Sequence, residues 1–369
     1  MSDQLLVATR KGLFILQRSS SDQWQQAQTH FLGEPVSIVL PDPRDQTLYA
    51  ALNLGHFGVK LWRRSATRQD WEACAVPVYP PRPEPAPAPQ PDQPPAAPWS
   101  LQQIWALAPG GVDEPGVLWA GTIPGGLFRS EDAGASWVLN RALWDRPERE
   151  AWGGGGYDYP GIHSICVDPR DSRHVAVAVS TGGVWQTYDG GESWACTAAG
   201  MYAEYMPPEL REDPNMQDVH RMVQCQDAPD TLWAQHHNGI FRSTDGGRHW
   251  QDVRAQPSTF GFAAAVHPHQ ADTAWFVPAV KDECRVPVDG RLIVNRTRDG
   301  GRSFEALQAG LPPPPAYDLV YRHCLAVDAS GERLAMGSTT GGLWVSEDGG
   351  NRWHELTAHL PPVYGVSFS

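Results

Sequence analysis

Apolar, β-branched and aromatic residues in this chain come in short runs separated by clusters of Gly, Pro, Asp, Asn and Ser. One stretch shows the pattern: Ile165-Cys166-Val167, Val175-Ala176-Val177-Ala178-Val179 and Gly183-Val184-Trp185, followed by a polar turn that ends on Trp194. Runs this short, rich in Val and Trp and bounded by Gly, read as buried strands rather than helices. The second run has counterparts in Val117-Leu118-Trp119-Ala120, Thr231-Leu232-Trp233-Ala234, Thr273-Ala274-Trp275-Phe276 and Arg333-Leu334-Ala335-Met336. With a further strand after each turn, the pattern predicts a series of four-stranded units.

The polar turn sets the period. Ser346-Glu347-Asp348-Gly349-Gly350-Asn351-Arg352-Trp353 recurs as Ser130 to Trp137, Thr187 to Trp194, Ser243 to Trp250 and Thr297 to Phe304. The aspartates Asp132, Asp189, Asp245, Asp299 and Asp348 step by 57, 56, 54 and 49 residues, a spacing that marks a repeat architecture. Asp accepts nearby backbone N–H groups, Gly takes up a positive φ, and Trp brings a large apolar surface to the next strand. Two eroded copies lead to Trp24 and Trp71, so the count is seven. Nothing ahead of Leu5 can serve as a first strand of the first unit, whereas Val363-Tyr364-Gly365-Val366-Ser367-Phe368 follows the last turn. That segment is predicted to complete unit one and close the ring.

The motif Ser/Thr-x-Asp-x-Gly-x-x-Trp resembles the Asp-box, or BNR repeat, of the sialidase-like β-propellers and BNR-repeat glycosyl hydrolases. The resemblance implies an all-β fold, a seven-bladed β-propeller of four-stranded blades forming one domain over residues 1–369. That group holds sialidases, xyloglucan-type hydrolases, sorting-receptor ectodomains and a photosystem assembly factor, so it leaves function open. Sialidase activity itself is not implied, because Thr122-Ile123-Pro124 lacks the arginine of the sialidase Phe/Tyr-Arg-Ile-Pro motif.

Charge and composition narrow the partners. A formal net charge of −13 argues against nucleic acid, and no run reaches the ~18 apolar residues of a membrane span. Residues Met1 to Arg10 show no basic segment followed by an apolar one, so the cytoplasm is the expected location. The six Cys lack paired spacing and read as reduced thiols. The partners left are a small-molecule or oligosaccharide ligand, or a protein.

Four inserts interrupt the repeat. Residues 75–98, Pro-rich and read as polyproline, 138–162 and 197–219 each connect one unit to the next; 279–290 joins the second and third strands of unit six. In an up-and-down blade these connections emerge on the face opposite the repeated turns, so irregular segments should gather on one rim. Aligned first strands put His163, His220 and His323 at one repeat position, occupied elsewhere by Ser37, Trp105, Phe262 and Tyr364. Three imidazoles converging on the channel would suit a divalent Zn, Mn, Fe or Ni ion; the plainer reading is of polar lining residues bound to water. His237 is a candidate general base, with Glu283 and Asp282 as candidate acid/base carboxylates. Arg10, His56, Trp105, Lys281, Arg285 and Tyr364 are expected to bind substrate, the cations attracting a carboxylate, sulfate or phosphate. Arg221 and Arg322 should point away from the channel by strand alternation, which makes ion pairs inside blades as good a reading as an anion patch. The expected function is a metal-assisted hydrolase or lyase acting on a small anionic or carbohydrate-like substrate. The alternative is a non-catalytic platform that docks a protein on the insert-bearing face.

Overall fold

A computed structural model describes residues 1–20, 23–82 and 99–369, which form seven four-stranded antiparallel sheets. Strand order follows chain order in six of them. In blade one the C-terminal strand Val363–Phe368 lies beside Gln4–Thr9, with Leu5 opposite Phe368 and Thr9 opposite Val363. First strands of neighbouring blades touch all round the ring, and Val363–Phe368 touches both Leu325–Val327 of blade seven and Val36–Pro41 of blade two. The two ends of the sequence therefore close the ring through main-chain pairing. Most of the Pro-rich insert, residues 83–98, lies outside the described residues. Among the described residues no helix is long and apolar enough to cross a membrane.

The repeated turn has one structure in each full copy. Ser243 Oγ donates to Asp245 Oδ1 (2.8 Å) and accepts the Gly247 N–H (2.9 Å), while Asp245 Oδ1 accepts the N–H groups of Arg248 and His249 (both 3.0 Å). Thr187 and Asp189 repeat the arrangement, as do Ser346 and Asp348. In three copies the tryptophan that ends the turn ties its blade to the preceding one. Trp137 Nε1 donates to Ala75 O, Trp194 Nε1 to Asn140 Oδ1 and Trp250 Nε1 to Thr197 O, each at 3.0 Å. Between blades the indoles of Trp119, Trp185, Trp233, Trp275 and Trp344 are fully buried, each worth roughly 2–3 kcal/mol of apolar burial.

Two tests follow from the turn. Ser243→Ala removes the partner of a buried Gly247 N–H and should lower unfolding free energy by about 1–3 kcal/mol in denaturant melts. Hydrogen bonds from Ser303 and Thr297 hold the Asp299 carboxyl down at about 2, below its unfolded value near ~4. Its contribution is therefore present above about pH 4 and lost as pH falls towards 2; acid unfolding of Asp299→Asn should be less steep over that interval.

Candidate functional site

The repeat position that carries His163 and His220 coincides with a break in the backbone pairing. In six blades the first strand is bulged there, and the register passes over Ser37, Trp105, His163, His220, Tyr364 and, with Ala263, Phe262. A bulge adds one residue and re-aims its side chain. Three of these residues use the new direction in the same way. Ser37 Oγ donates to Ile104 O (3.0 Å), His163 Nε2 to Val219 O (2.7 Å) and His220 Nδ1 to Gly261 O (2.6 Å). Each acceptor immediately precedes the bulged residue of the next blade, so the position works as a clip between neighbours.

This geometry corrects the expectation that His163, His220 and His323 share one ion. The second nitrogen of His163 lies 3.0 Å from Ser164 Oγ, and His323 Nε2 donates to His163 O at 2.8 Å, from blade seven to blade four. The three imidazoles are held by different carbonyls. Among the described residues the group whose donor atoms lie within 4.8 Å of one another is instead Asp218, His220 and His237.

The insert-bearing mouth of the channel is a cavity of about 840 Å³, lined by four of the expected binding residues, Arg10, Trp105, Arg285 and Tyr364. Beside it a cavity of about 340 Å³ is lined by Asp218, His220 and the expected acid/base residues His237, Asp282 and Glu283. Gly155, Gly156 and Arg285 line both. Gly155 has φ +53, and a Cβ there would sit 3.2 Å from Asp218 Oδ1, so this loop turns over the junction at a point suited to glycine. Most lining residues come from connections between blades or between second and third strands, and three of the four inserts, 138–162, 197–219 and 279–290, meet at this rim. Two expected residues stand outside both walls. His56 lies against its neighbour Phe57, the rings tilted by 40° with centroids 3.9 Å apart, and Lys281 lies 3.5 Å from Glu283 Oε2 on the surface.

Arg322 departs from the alternation argument. It precedes the short first strand of blade seven, Leu325–Val327, and lines the larger cavity although its residue is only 6% exposed. Its guanidinium lies 4.8 Å from the Trp105 ring centroid and 5.6 Å from that of Phe262. Nη2 reaches Gly155 O at 3.3 Å, Nε has no partner, and among the described residues it forms no ion pair. Arg221 is likewise not in a blade-internal ion pair: Nη1 lies 3.4 Å from His163 O, and the residue faces the cavity at the opposite mouth.

Asp218, absent from the sequence reading, is the centre of the smaller cavity. It is buried, its N–H is accepted by His236 Nε2 (3.0 Å), and its Oδ1 has no hydrogen-bond partner. Its Oδ1 lies 3.6 Å from His220 Nε2 and its Oδ2 3.4 Å from His237 Nδ1. The only signal in the sequence is the spacing Asp218-Val219-His220. Burial pushes His220 down to about 4 despite Asp218. For His237 burial opposes the cation too, but Asp218, Asp282 and Glu283 outweigh it and raise the pKa above 6.5. The raised value means that the His237 cation stabilises the fold below about pH 6.5 and that this contribution fades as pH rises through its folded pKa. An NMR titration of metal-free protein should show His237 titrating above 6.5 and His220 near 4, with Asp218→Asn lowering His237.

Comparison with known proteins agrees with the fold. No family model matches the chain. A xyloglucanase from Paenibacillus sp. is 25% identical over 187 residues, which make up 44% of this chain and 16% of that protein. Among solved structures, an ancestral GH74 enzyme superposes with a TM-score of 0.60 at 18% identity, covering 88% of this chain and 38% of that one. YCF48 bound to D1 peptide superposes with a TM-score of 0.50 at 13% identity, covering 84% and 78%. The chain thus spans well under half of the two carbohydrate enzymes it is similar to, and these likenesses establish the propeller architecture.

Proposed function

We propose that this propeller binds an anionic, carbohydrate-like small molecule at the insert-bearing mouth and cleaves it, as a hydrolase or a lyase, where the two cavities meet. The observation that carries this reading is Arg322. A guanidinium taken out of water without a carboxylate partner is costly, and a ligand carboxylate, sulfate or phosphate would satisfy it. Trp105, Tyr157 and Tyr364 offer apolar faces for sugar rings in the same cavity, with Arg10 on its wall, and the volume suits a ligand of a few rings. The acid/base candidates His237, Asp282 and Glu283 border the adjoining cavity, in reach of the junction from which a bound molecule would be attacked. The likeness to GH74 enzymes supports a carbohydrate substrate. We infer in addition that the repeated turns are Asp-boxes of the BNR type and that the protein works in the cytoplasm, where its free cysteines stay reduced.

A docking role draws on a separate observation. Phe57, Tyr317 and Tyr205 stand exposed on connections of the same rim, as aromatic anchors of a protein interface do, and one structural neighbour is YCF48 bound to a peptide.

Calorimetric titration with a uronic-acid oligosaccharide and its neutral counterpart separates the readings. The anionic sugar should bind at least 10-fold more tightly, and Arg322→Gln should weaken it by about 10- to 100-fold, with Arg10→Gln as a milder variant should the buried change unfold the protein. Equal affinity for both sugars, or no binding of either, would leave docking as the better account.

A further inference from the structure

We propose that Asp218, His220 and His237 form a binding site for a divalent first-row transition-metal ion of the zinc class. The hydrogen on His220 fixes which of its nitrogens is free. Gly261 O can only accept, so the 2.6 Å contact requires a proton on Nδ1, and the neutral ring then presents the Nε2 lone pair to Asp218 Oδ1 at 3.6 Å. Two acceptors face each other inside the protein, and Oδ1 receives no hydrogen bond from any side chain or main-chain group. Both residues are more than nine-tenths buried. That arrangement is unfavourable unless a cation lies between them.

The separations fit such an ion. Asp218 to His220 at 3.6 Å and Asp218 to His237 at 3.4 Å are too long for good hydrogen bonds. Measured to Oδ1 and Oδ2 respectively, each is close to the separation of two ligand atoms on one ion, about 3.3–3.6 Å for bonds of ~2.0–2.2 Å to nitrogen and carboxylate oxygen, and the three donor atoms lie within 4.8 Å of one another. His220 also carries the support usual for a metal ligand, its other nitrogen donating to a backbone carbonyl. His237, on the connection that follows Leu232–His236, is held against Asp218 by its own N–H donating to Asp218 O at 2.9 Å. Two imidazoles and one carboxylate would leave a fourth position open, and the cavity that these three residues line is also bordered by Asp282 and Glu283.

Only the use of the ion rests on the function proposed above. A water in the open position would lose a proton near neutral pH, the proton passing to Glu283 or Asp282 and the hydroxide remaining on the ion as nucleophile or base. In this arrangement His237 is a ligand, and the base role expected for it passes to the metal-bound water.

Full-length protein stripped with chelator and dialysed against Zn²⁺ should retain one ion per chain, and Co²⁺ should give the intense visible bands of a four-coordinate site. Asp218→Asn and His237→Gln should each weaken Zn²⁺ binding at least 100-fold, while Arg10→Gln leaves it unchanged. His237 is on a connection and partly exposed, so its variant decides the matter if Asp218→Asn fails to fold by circular dichroism. Stoichiometric binding that survives His237→Gln, or no stoichiometric binding at all, overturns the site. Uronate binding by the metal-free protein reports separately on the larger cavity, so failure of one reading is distinguishable from failure of the other.

Discussion

Seven sheets share an axis here because first strands pack against one another all round the ring, and side-chain clips reinforce several of those contacts. At the rim of the repeated turns the clip is an indole N–H, as in Trp250 to Thr197 O; at the inner strands it is a side chain on a bulge, as in His163 to Val219 O. A single hydrogen bond of this kind contributes only about 1 kcal/mol net. Closure of the ring by Val363–Phe368 gives every blade two packed neighbours, so these contributions add to contacts that no blade can leave singly. The inner clip also decides what chemistry is available. His163 commits both nitrogens, whereas His220 commits Nδ1 alone and leaves Nε2 facing Asp218.

The mouth of the channel reverses the charge of the molecule around it. A chain of net charge −13 places Arg10, Arg285 and Arg322 around one cavity, where Glu34 is the one acid among the described lining residues. Arg285 is neutralised by Asp282, at 2.5 Å, but Arg322 is held between Trp105 and Phe262 with no described carboxylate in ion-pair contact, Asp218 acting on it only from farther off. Aromatic faces stabilise a guanidinium by a kcal/mol or two when it is desolvated, which keeps the group in place without quenching it. The result is a cation ready for a ligand's charge, set beside acid/base groups supplied by a different insert.

The architecture was legible because turn chemistry is local. Asp, Gly and Trp at fixed offsets announce each blade, and the unmatched strand at the C-terminus announces the closure. The rim was legible too, since the direction of a connection follows from strand count, and Arg10, Trp105, Arg285, Tyr364, His237, Asp282 and Glu283 all meet there. What failed was the period-two rule at the inner strand. A bulge shifts the alternation by one at His163, which turns to a carbonyl, whereas in blade seven the first strand begins only at Leu325, so His323 and Arg322 precede it and obey no alternation: His323 turns to a carbonyl and Arg322 enters the channel mouth. Asp218 was hidden for another reason: it closes an insert of no repeating pattern, and its burial depends on a loop more than sixty residues upstream, at Gly155.

Ligand charge and metal ion, as proposed, occupy neighbouring places at one end of the channel. Anomalous diffraction at the zinc edge, from crystals grown with Zn²⁺ and a uronic-acid oligosaccharide, tests both at once. The account predicts one strong peak between Asp218, His220 Nε2 and His237, with a sugar carboxylate on Arg322. A peak at His163 or His323, or sugar density confined to the opposite mouth near Arg221, would contradict it.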